Sequence, residues 1–222
     1  KKNWKAIVTA GPTREYIDPV RYISNESSGK QGYEIAIELN KLGITTTLIT
    51  GPSNLNSPKG IKVKKIISAN EMLSEVKKSL PVDLAVCAAA VSDFKPENKN
   101  KNKIKKEFIN LKSMNFVKNN DILEYISKNN KHRPRLVVGF SAETENIMKN
   151  SIIKMKKKHC DLMITNDVSK KDTGFNSDYN SVSVIDKKGN IKIIPKNKKS
   201  FIANKIAEIL LDKLLIDDRN IN

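Results

Sequence analysis

The sequence predicts an α/β fold, a mainly parallel sheet flanked by helices with a β-hairpin near the C-terminus. Three observations carry that reading. Short apolar runs alternate with segments of helical periodicity along most of the 222 residues. The first of these runs, Ala6-Ile7-Val8-Thr9-Ala10, is followed by a helix that small residues open, Ser27-Ser28-Gly29 ahead of Lys30-Gln31-Gly32. Towards the end, the alternating Val182-Ser183-Val184-Ile185, a turn at 186–190 and a second apolar run at 191–194 read as a hairpin.

Each element follows in order. Strand 6–10 ends at Gly11, and an eighteen-residue loop rich in polar side chains runs from Gly11 to Ser28. A loop that long inside a compact domain usually has a function. The first helix is expected over 30–42, with Ile35, Ala36, Leu39 and Leu42 on its inner face and Gly43 as its stop. A strand at 45–50 is ended by Gly51-Pro52, and a third strand is expected over 61–67. Ser68 then caps a helix that reaches Leu80, with Glu71 three residues on completing a capping box. The run 84–89 is nearly all apolar, as a central strand covered on both faces should be.

Residues 92–107 change character, being polar, lysine-rich and nearly free of apolar anchors. Such a segment is either a disordered surface loop or a lid that orders over a polyanionic ligand. Beyond it come a helix at 121–128, a strand at 136–140, a helix at 144–158 and a strand at 162–165. A long loop over 166–178 leads into the hairpin, and an amphipathic helix over 199–215 closes the chain. No internal repeat is visible. The expectation is one Rossmann-like domain over residues 1–222, with a flexible lid at about 94–107.

Composition narrows the function classes. No apolar run approaches bilayer-spanning length and no signal-peptide apolar stretch opens the chain, so a soluble protein without membrane partners is expected. The chain starts without Met, as a processed protein or a piece of a longer one would. Cys87 and Cys160 form neither a disulfide framework nor a zinc-ligand pattern, which points to the cytoplasm. The formal charge of +17 raises the question of nucleic acid. Only five of the 41 basic residues are arginine, however, and they do not cluster. The remaining lysines, with abundant asparagine and isoleucine, look like A/T-rich coding, and a nucleic-acid partner is not expected.

Three loops at strand C-termini, 11–28, 88–107 and 139–144, are rich in small and polar residues. Ligands bind at that edge in open α/β sheets. Free N–H groups at a glycine-rich helix start suit phosphate. Ser28-Gly29-Lys30 is nevertheless not a Walker A element, because the first glycine is missing and Gln31 stands where Ser or Thr would hold magnesium. A tight dinucleotide fingerprint is also absent, and no acidic residue closes the second strand to hold a ribose. His132 and His159 make no catalytic arrangement. The pattern reads as phosphate or nucleotide binding by an uncommon route.

The segments Ala10-Gly11-Pro12-Thr13-Arg14-Glu15, Ile17 through Asn25 and Ser27-Ser28-Gly29-Lys30 resemble phosphopantothenoylcysteine synthetase. In many bacteria that enzyme is the C-terminal half of a bifunctional coenzyme A biosynthesis protein. The similarity continues through Ala88-Ala89-Ala90-Val91-Ser92-Asp93-Phe94, Lys103-Ile104-Lys105-Lys106, Val117 to Ile122, Val138 to Thr144, Asn166-Asp167-Val168 and Gly174 to Asp178. It runs in order along essentially the whole chain. The resemblance implies a ligase that joins 4′-phosphopantothenate to L-cysteine with CTP and magnesium through an acyl-cytidylate, releasing CMP and pyrophosphate. It also implies a homodimer and, for the complete protein, possible fusion to a flavin-dependent decarboxylase. No flavin is expected on this chain.

The resemblance assigns roles to single residues. Asn25 matches the position of the acyl-cytidylate step, and a neutral amide can donate to a carbonyl gaining charge. Ser27, Ser28 and Gly29 match triphosphate binding, and Lys103 matches a lid lysine on CTP, catalytic when it arrives. Asp93 matches a CTP contact through ribose or magnesium, with no further metal ligand named. Cys87, Ala88 and Ala89 match a strand end lining the nucleotide site, with Ala90 beside the substrate. Asn120, Asp121, Ile122 and Leu123 match the segment that reads cytosine, although the family usually has proline at the position of Asn120. Phe140 flanks the base, and Lys154 and Lys158, one helical turn apart, match CTP contacts. Arg21 is a weaker candidate for the substrate's phosphate, across a dimer interface. Two rivals stand beside this reading, a nicotinamide-dependent oxidoreductase on a similar sheet and a basic nucleic-acid-binding module.

Overall fold

The structure, a computed structural model, describes residues 3–105, 114–129, 131–143, 145–167 and 177–219. Side chains are described for these except at 167 and 217–219. Its strands are β1 (Lys5–Ala10), β2 (Arg14–Asp18), β3 (Arg21–Ser24), β4 (Thr45–Thr50), β5 (Lys62–Lys65), β6 (Leu84–Cys87), β7 (Phe94–Pro96), β8 (Phe116–Lys118), β9 (Leu136–Glu143), β10 (Leu162–Asp167), β11 (Tyr179–Asp186) and β12 (Ile191–Lys198). The helices are α1 (Lys30–Lys41), α2 (Ala69–Ser79), α3 (Ile122–Ser127), α4 (Ile147–Lys158) and α5 (Lys199–Arg219).

Eight strands form one sheet in the order β12-β11-β10-β9-β6-β1-β4-β5. Every pair from β10 to β5 is parallel, while β10–β11 and β11–β12 are antiparallel, which is the expected sheet with its terminal hairpin. The chain winds outward from β1 through β4 to β5, then returns to β6 on the other side of β1. That reversal creates a crevice at the C-terminal ends of β1 and β6, where open α/β sheets bind ligands.

Side chains alternate across the sheet as the strand period requires. Ala6, Val8 and Ala10 join Ile35, Ala36 and Leu39 of α1 and Ile202, Ile206 and Leu210 of α5 in one core layer. Ile7 and Val137 join Met72 and Val76 of α2, Ile126 of α3 and Met155 of α4 in the other. Close helix-to-strand contact on the first face depends on Gly32, where a Cβ would sit 2.7 Å from the Ala10 Cβ. The positive φ of 78° at Gly29 lets the chain turn into α1 against Gly11.

The largest departure from the sequence reading lies between β1 and α1. The polar loop of 11–28 contains an antiparallel hairpin, β2–β3, in which Tyr16 pairs with Tyr22 across the strands. The third strand is shorter than expected and forms the sheet edge, and β6 stops at Cys87 because the chain there turns to bridge Pro12 through Ala90. The lysine-rich segment contributes β7, which pairs with β8 beyond it, and 97–105 is tied to the first hairpin. Asn100 N–H donates to the Ile17 carbonyl at 2.9 Å and Ile104 N–H to Asp18 Oδ2 at 3.2 Å. Residues 106–113, including Lys106 of the lysine motif, lie outside the described residues. Leu42, expected on the inner face of α1, is 37% exposed, since the helix ends at Lys41 and Leu42 is its C-cap. α4 starts at Ile147 rather than 144, and most of the 166–178 loop lies outside the described residues. Among the described residues no helix is long and apolar enough to cross a membrane.

Candidate active site

Two stretches of chain form the crevice walls, the start of α1 and the segment after β6. At the helix start, Gly29 N–H donates to Ser27 Oγ at 3.2 Å and Lys30 N–H to Ser28 Oγ at 3.4 Å. Ser53 Oγ donates to the Ser28 carbonyl at 3.0 Å, which fixes the loop from the β4 side. Gln31 and Gly32, in the first turn where amides have no intrahelical acceptor, face the same cavity.

The segment after β6 is stitched to β1 and the first hairpin. Ala88 N–H donates to the Thr9 carbonyl at 3.1 Å, and Ala90 N–H to the Gly11 carbonyl at 2.9 Å. Ser92 N–H donates to Thr13 Oγ1 at 3.0 Å. The Asn25 amide reaches across and donates from Nδ2 to the Val91 carbonyl at 3.0 Å, which leaves a second N–H on the same nitrogen. Small side chains at 88–90 keep this wall thin.

Between the walls lies a cavity of about 610 Å³. Asn25, Ser27, Ser28 and Gly29 line it on one side, and Ala88, Ala89, Ala90 and Asp93 on the other. Phe140 and Lys154 complete its far wall. A second, narrower cavity of about 150 Å³ is lined by Cys87, Asn120, Asp121, Ile122, Leu123 and Lys158. Ala89, Asp93, Phe140 and Lys154 line both, so the two cavities are neighbours along a shared wall.

The narrow end is organised by charge. Asp121 caps α3 by accepting from Glu124 N–H at 2.7 Å through Oδ1. Its other oxygen receives the Lys158 ammonium at 2.7 Å, and Lys158 also bonds Glu124 Oε2 at 3.1 Å. Burial works against the charge on Lys158, but hydrogen bonds to Asp121 and Glu124 outweigh it and raise its pKa. Lys128 and then Lys158 pull the Glu124 carboxyl down to about 2. Burial pushes the Cys87 thiol up, which leaves it protonated and inert near neutral pH.

Eighteen distinct positions are predicted for the site, and all but Lys103 and Arg21 line one cavity or both. Lys103 is exposed on the segment tied to the first hairpin. Arg21 is engaged with the chain itself: its guanidinium forms an ion pair with buried Asp18 and donates to the Ile104 carbonyl at 2.9 Å. Several cavity-lining residues went unassigned by sequence reasoning, among them Lys30, Gln31, Asn166, Asn180 and Lys199. Lys30 and Gln31 sit inside the glycine-rich motif, so a signal existed for them. Lys199 and Asn180 come from the other end of the chain, where only the fold brings them close.

Among the described residues no group of three or more His, Cys, Asp or Glu side chains could cage a metal ion. Asp93 is a single carboxylate shared by both cavities. With Glu26 on the wide cavity and Asp121 on the narrow one, the carboxylates stay scattered, which suits a magnesium ion carried mainly by phosphate oxygens and not a protein-built cage.

A doubly wound sheet with a polar, lysine-bearing crevice at its switch point defines an α/β protein whose candidate site lies where open sheets of this kind bind ligands. The chain belongs to the family described as the DNA/pantothenate metabolism flavoprotein C-terminal domain, which matches residues 2–214. It is 42% identical over 211 residues to the coenzyme A biosynthesis bifunctional protein CoaBC of Borreliella burgdorferi, covering 94% of this chain and 53% of that protein. Identity to the protein of the same description from Escherichia coli K12 is 37% over 224 residues, covering 99% and 54%. The chain thus spans about half the length of the curated relatives it matches. The crystal structure of the C-terminal domain of coenzyme A biosynthesis bifunctional protein CoaBC superposes with a TM-score of 0.80 at 29% identity, covering 98% of this chain and 97% of that one.

Proposed function

We propose that this chain is the ligase part of a coenzyme A biosynthesis protein, joining 4′-phosphopantothenate to L-cysteine with CTP. The observation that carries the reading is the shared wall of the two cavities: Asn25, Asp93 and Phe140 border one space, and the Asp121–Leu123 segment borders its narrow extension. Family membership supplies the pathway, and the cavity supplies a place for a base, a phosphate chain and an acyl group.

In this reading the substrate carboxylate attacks the α-phosphorus, the bond to the β-phosphate oxygen breaks, and pyrophosphate leaves with the electron pair. The cysteine amine then attacks the acyl carbonyl, loses a proton, and CMP departs. Such chemistry needs positioning and charge stabilisation more than a protein nucleophile. Asn25 fits the second step, since the N–H not used on Val91 can donate to the carbonyl oxygen as it gains charge. Lys154 borders both cavities, the place for an α-phosphate, and its ammonium has no ion-pair partner among the described residues. The base belongs beside Asp121–Leu123 and Phe140. Magnesium would enter on CTP's own oxygens with Asp93 as its protein contact, and when bound it offsets phosphate charge.

The same proposal includes Lys103 arriving over the nucleotide from its exposed segment, a homodimer in solution and a cytoplasmic setting. The proposal also includes fusion of the complete protein to a flavin-dependent decarboxylase, in keeping with curated relatives about twice the length of this chain.

The test is pyrophosphate release from CTP. Release that requires both the protein and 4′-phosphopantothenate is expected, followed by CMP formation when cysteine is added. A chain that instead consumes a reduced nicotinamide, or retains DNA in a salt-sensitive way without releasing pyrophosphate, would overturn the assignment.

A further inference from the structure

α1 and α5 pack on the same face of the sheet, and both begin at its C-terminal edge. Lys30 is the first residue of α1 and Lys199 the first of α5, so the fold delivers both to one stretch of the wide cavity's wall. Their placement is held from three elements. Lys30 Nζ donates to Asp178 Oδ1 at 2.6 Å, and Lys199 N–H donates to the Asp178 carbonyl at 2.9 Å. Gln31 Nε2 donates to the Lys199 carbonyl at 3.3 Å, and Gln31 Oε1 accepts from Asn180 Nδ2 at 3.2 Å.

Lys199 is 5% exposed and still lines the cavity. Burial and then the nearby Lys30 charge push its pKa down, with Asp178 acting in the opposite direction. Two ammonium groups that disfavour each other meet in a half-closed space, and the Asp178 carboxylate that pairs with Lys30 is largely exposed, at 71%. A multiply charged anion entering the cavity would relieve the repulsion. Neither lysine lines the narrow cavity where Asp121 and Lys158 sit. A nucleotide with its base at the narrow end therefore points its outer phosphates at this pair.

We infer that Lys30 and Lys199 form a two-cation clamp for a pyrophosphate group, with Asp178 holding Lys30 in position until the anion takes its place. Naming that anion as the β,γ-phosphates of CTP, and the pyrophosphate they become, rests on the ligase reading above. When the α–β bond breaks, the electron pair and the new charge stay on the pyrophosphate, beside the two ammonium groups.

Calorimetric titration of inorganic pyrophosphate, and separately of CMP, tests the clamp. Wild-type protein should bind both. Lys199→Met and Lys30→Met should each weaken pyrophosphate about 10- to 100-fold, the range for losing one charge-assisted contact, and leave CMP affinity unchanged; Lys199→Arg should restore most of the loss. Pyrophosphate affinity equal to wild type in a folded Lys199→Met protein would overturn the clamp, as would an equal loss of CMP affinity. Should Lys199→Met not fold, Lys30→Met carries the same test, because the Lys30 side chain is one-third exposed. The two readings fail separately. Pyrophosphate bound through both lysines in a protein that releases none from CTP sinks the ligase and keeps the clamp, while turnover with pyrophosphate affinity blind to both lysines sinks only the clamp.

Discussion

The Lys158 ammonium sits 2.7 Å from Asp121 Oδ2, so one carboxylate joins α4 to the first turn of α3. Asp121 is at once helix cap, ion-pair partner and lining of the narrow cavity. A ligand there meets a neutralised pair, with the charge already placed and little left to reorganise.

Removing the cation should therefore act on nucleotide binding first. Lys158→Met is expected to raise the KM for CTP about tenfold, one charge-assisted contact's worth, with a smaller change in kcat. Steady-state kinetics at varied CTP check this, and an unchanged KM would take Lys158 out of the nucleotide site.

Asn25→Asp is nearly isosteric but replaces an N–H donor with an acceptor. The second half-reaction should slow about 10²-fold, as for the loss of one oxyanion donor, so the acyl-cytidylate accumulates. Quenched-flow separation of intermediate from product reads this directly; wild-type turnover would remove Asn25 from the mechanism.

Lys103 is exposed and lines neither cavity, so its proposed role rests on charge brought to the nucleotide and not on its place in this structure. Lys103→Met should lower turnover about 10²-fold, in the range of a lost electrostatic contact to the transition state, with an unaltered melting temperature. Full activity would point to another of the neighbouring lysines.

Packing gives a prediction independent of chemistry. Gly32→Ala places a methyl 2.7 Å from the Ala10 Cβ and 3.2 Å from the Thr9 carbonyl oxygen, atoms that cannot swing aside. A loss of about 1–3 kcal/mol in urea denaturation is expected for such overpacking. Gly139→Ala meets Leu123 Cδ2 at 2.7 Å, the far end of a flexible side chain, and should cost less. Equal costs would contradict the contact geometry.

Local signals were legible wherever local physics decides. The capping box came through: Ser68 Oγ accepts from Glu71 N–H at 3.3 Å, and Glu71 reaches back to Ile67 N–H at 2.8 Å. The strand at 45–50 is bounded as its apolar run and Gly51-Pro52 imply. The β2–β3 hairpin was hidden because its strands mix polar and apolar residues, and their support is long-range, as when Ala69 N–H donates to buried Glu15 at 2.9 Å. Much of the candidate cavity lining was legible because residues 25–29, 87–93 and 120–123 follow strand ends, whereas Lys154 and Lys158 on α4 came from the resemblance alone. Lys199 was not, since its helix-start position says nothing of a cavity built 168 positions earlier around Gln31.

Asp18 gives an acid-stability prediction. Arg21's guanidinium, against the opposing effect of burial and with help from the N–H groups of Val20, Ile104 and Arg21, holds its carboxyl well below the usual range. A depressed carboxylate pKa contributes stability that is complete above the unfolded value, about 4, and lost as pH falls towards the folded value. Asp18→Asn should therefore destabilise the protein at pH 7 and shrink the gap to wild type as pH drops below about 4. A gap that stayed constant into strong acid would refute this.

That buried carboxylate is the rivet through which the hairpin, the arginine and the segment at Ile104 are fastened together. Its charge does not change across the pH range in which histidines titrate, so acidification within a cell would leave this fastening unaltered. A phosphate drawn to Arg21 would compete with the carboxylate and the Ile104 carbonyl together, and would loosen two chain segments in a single act.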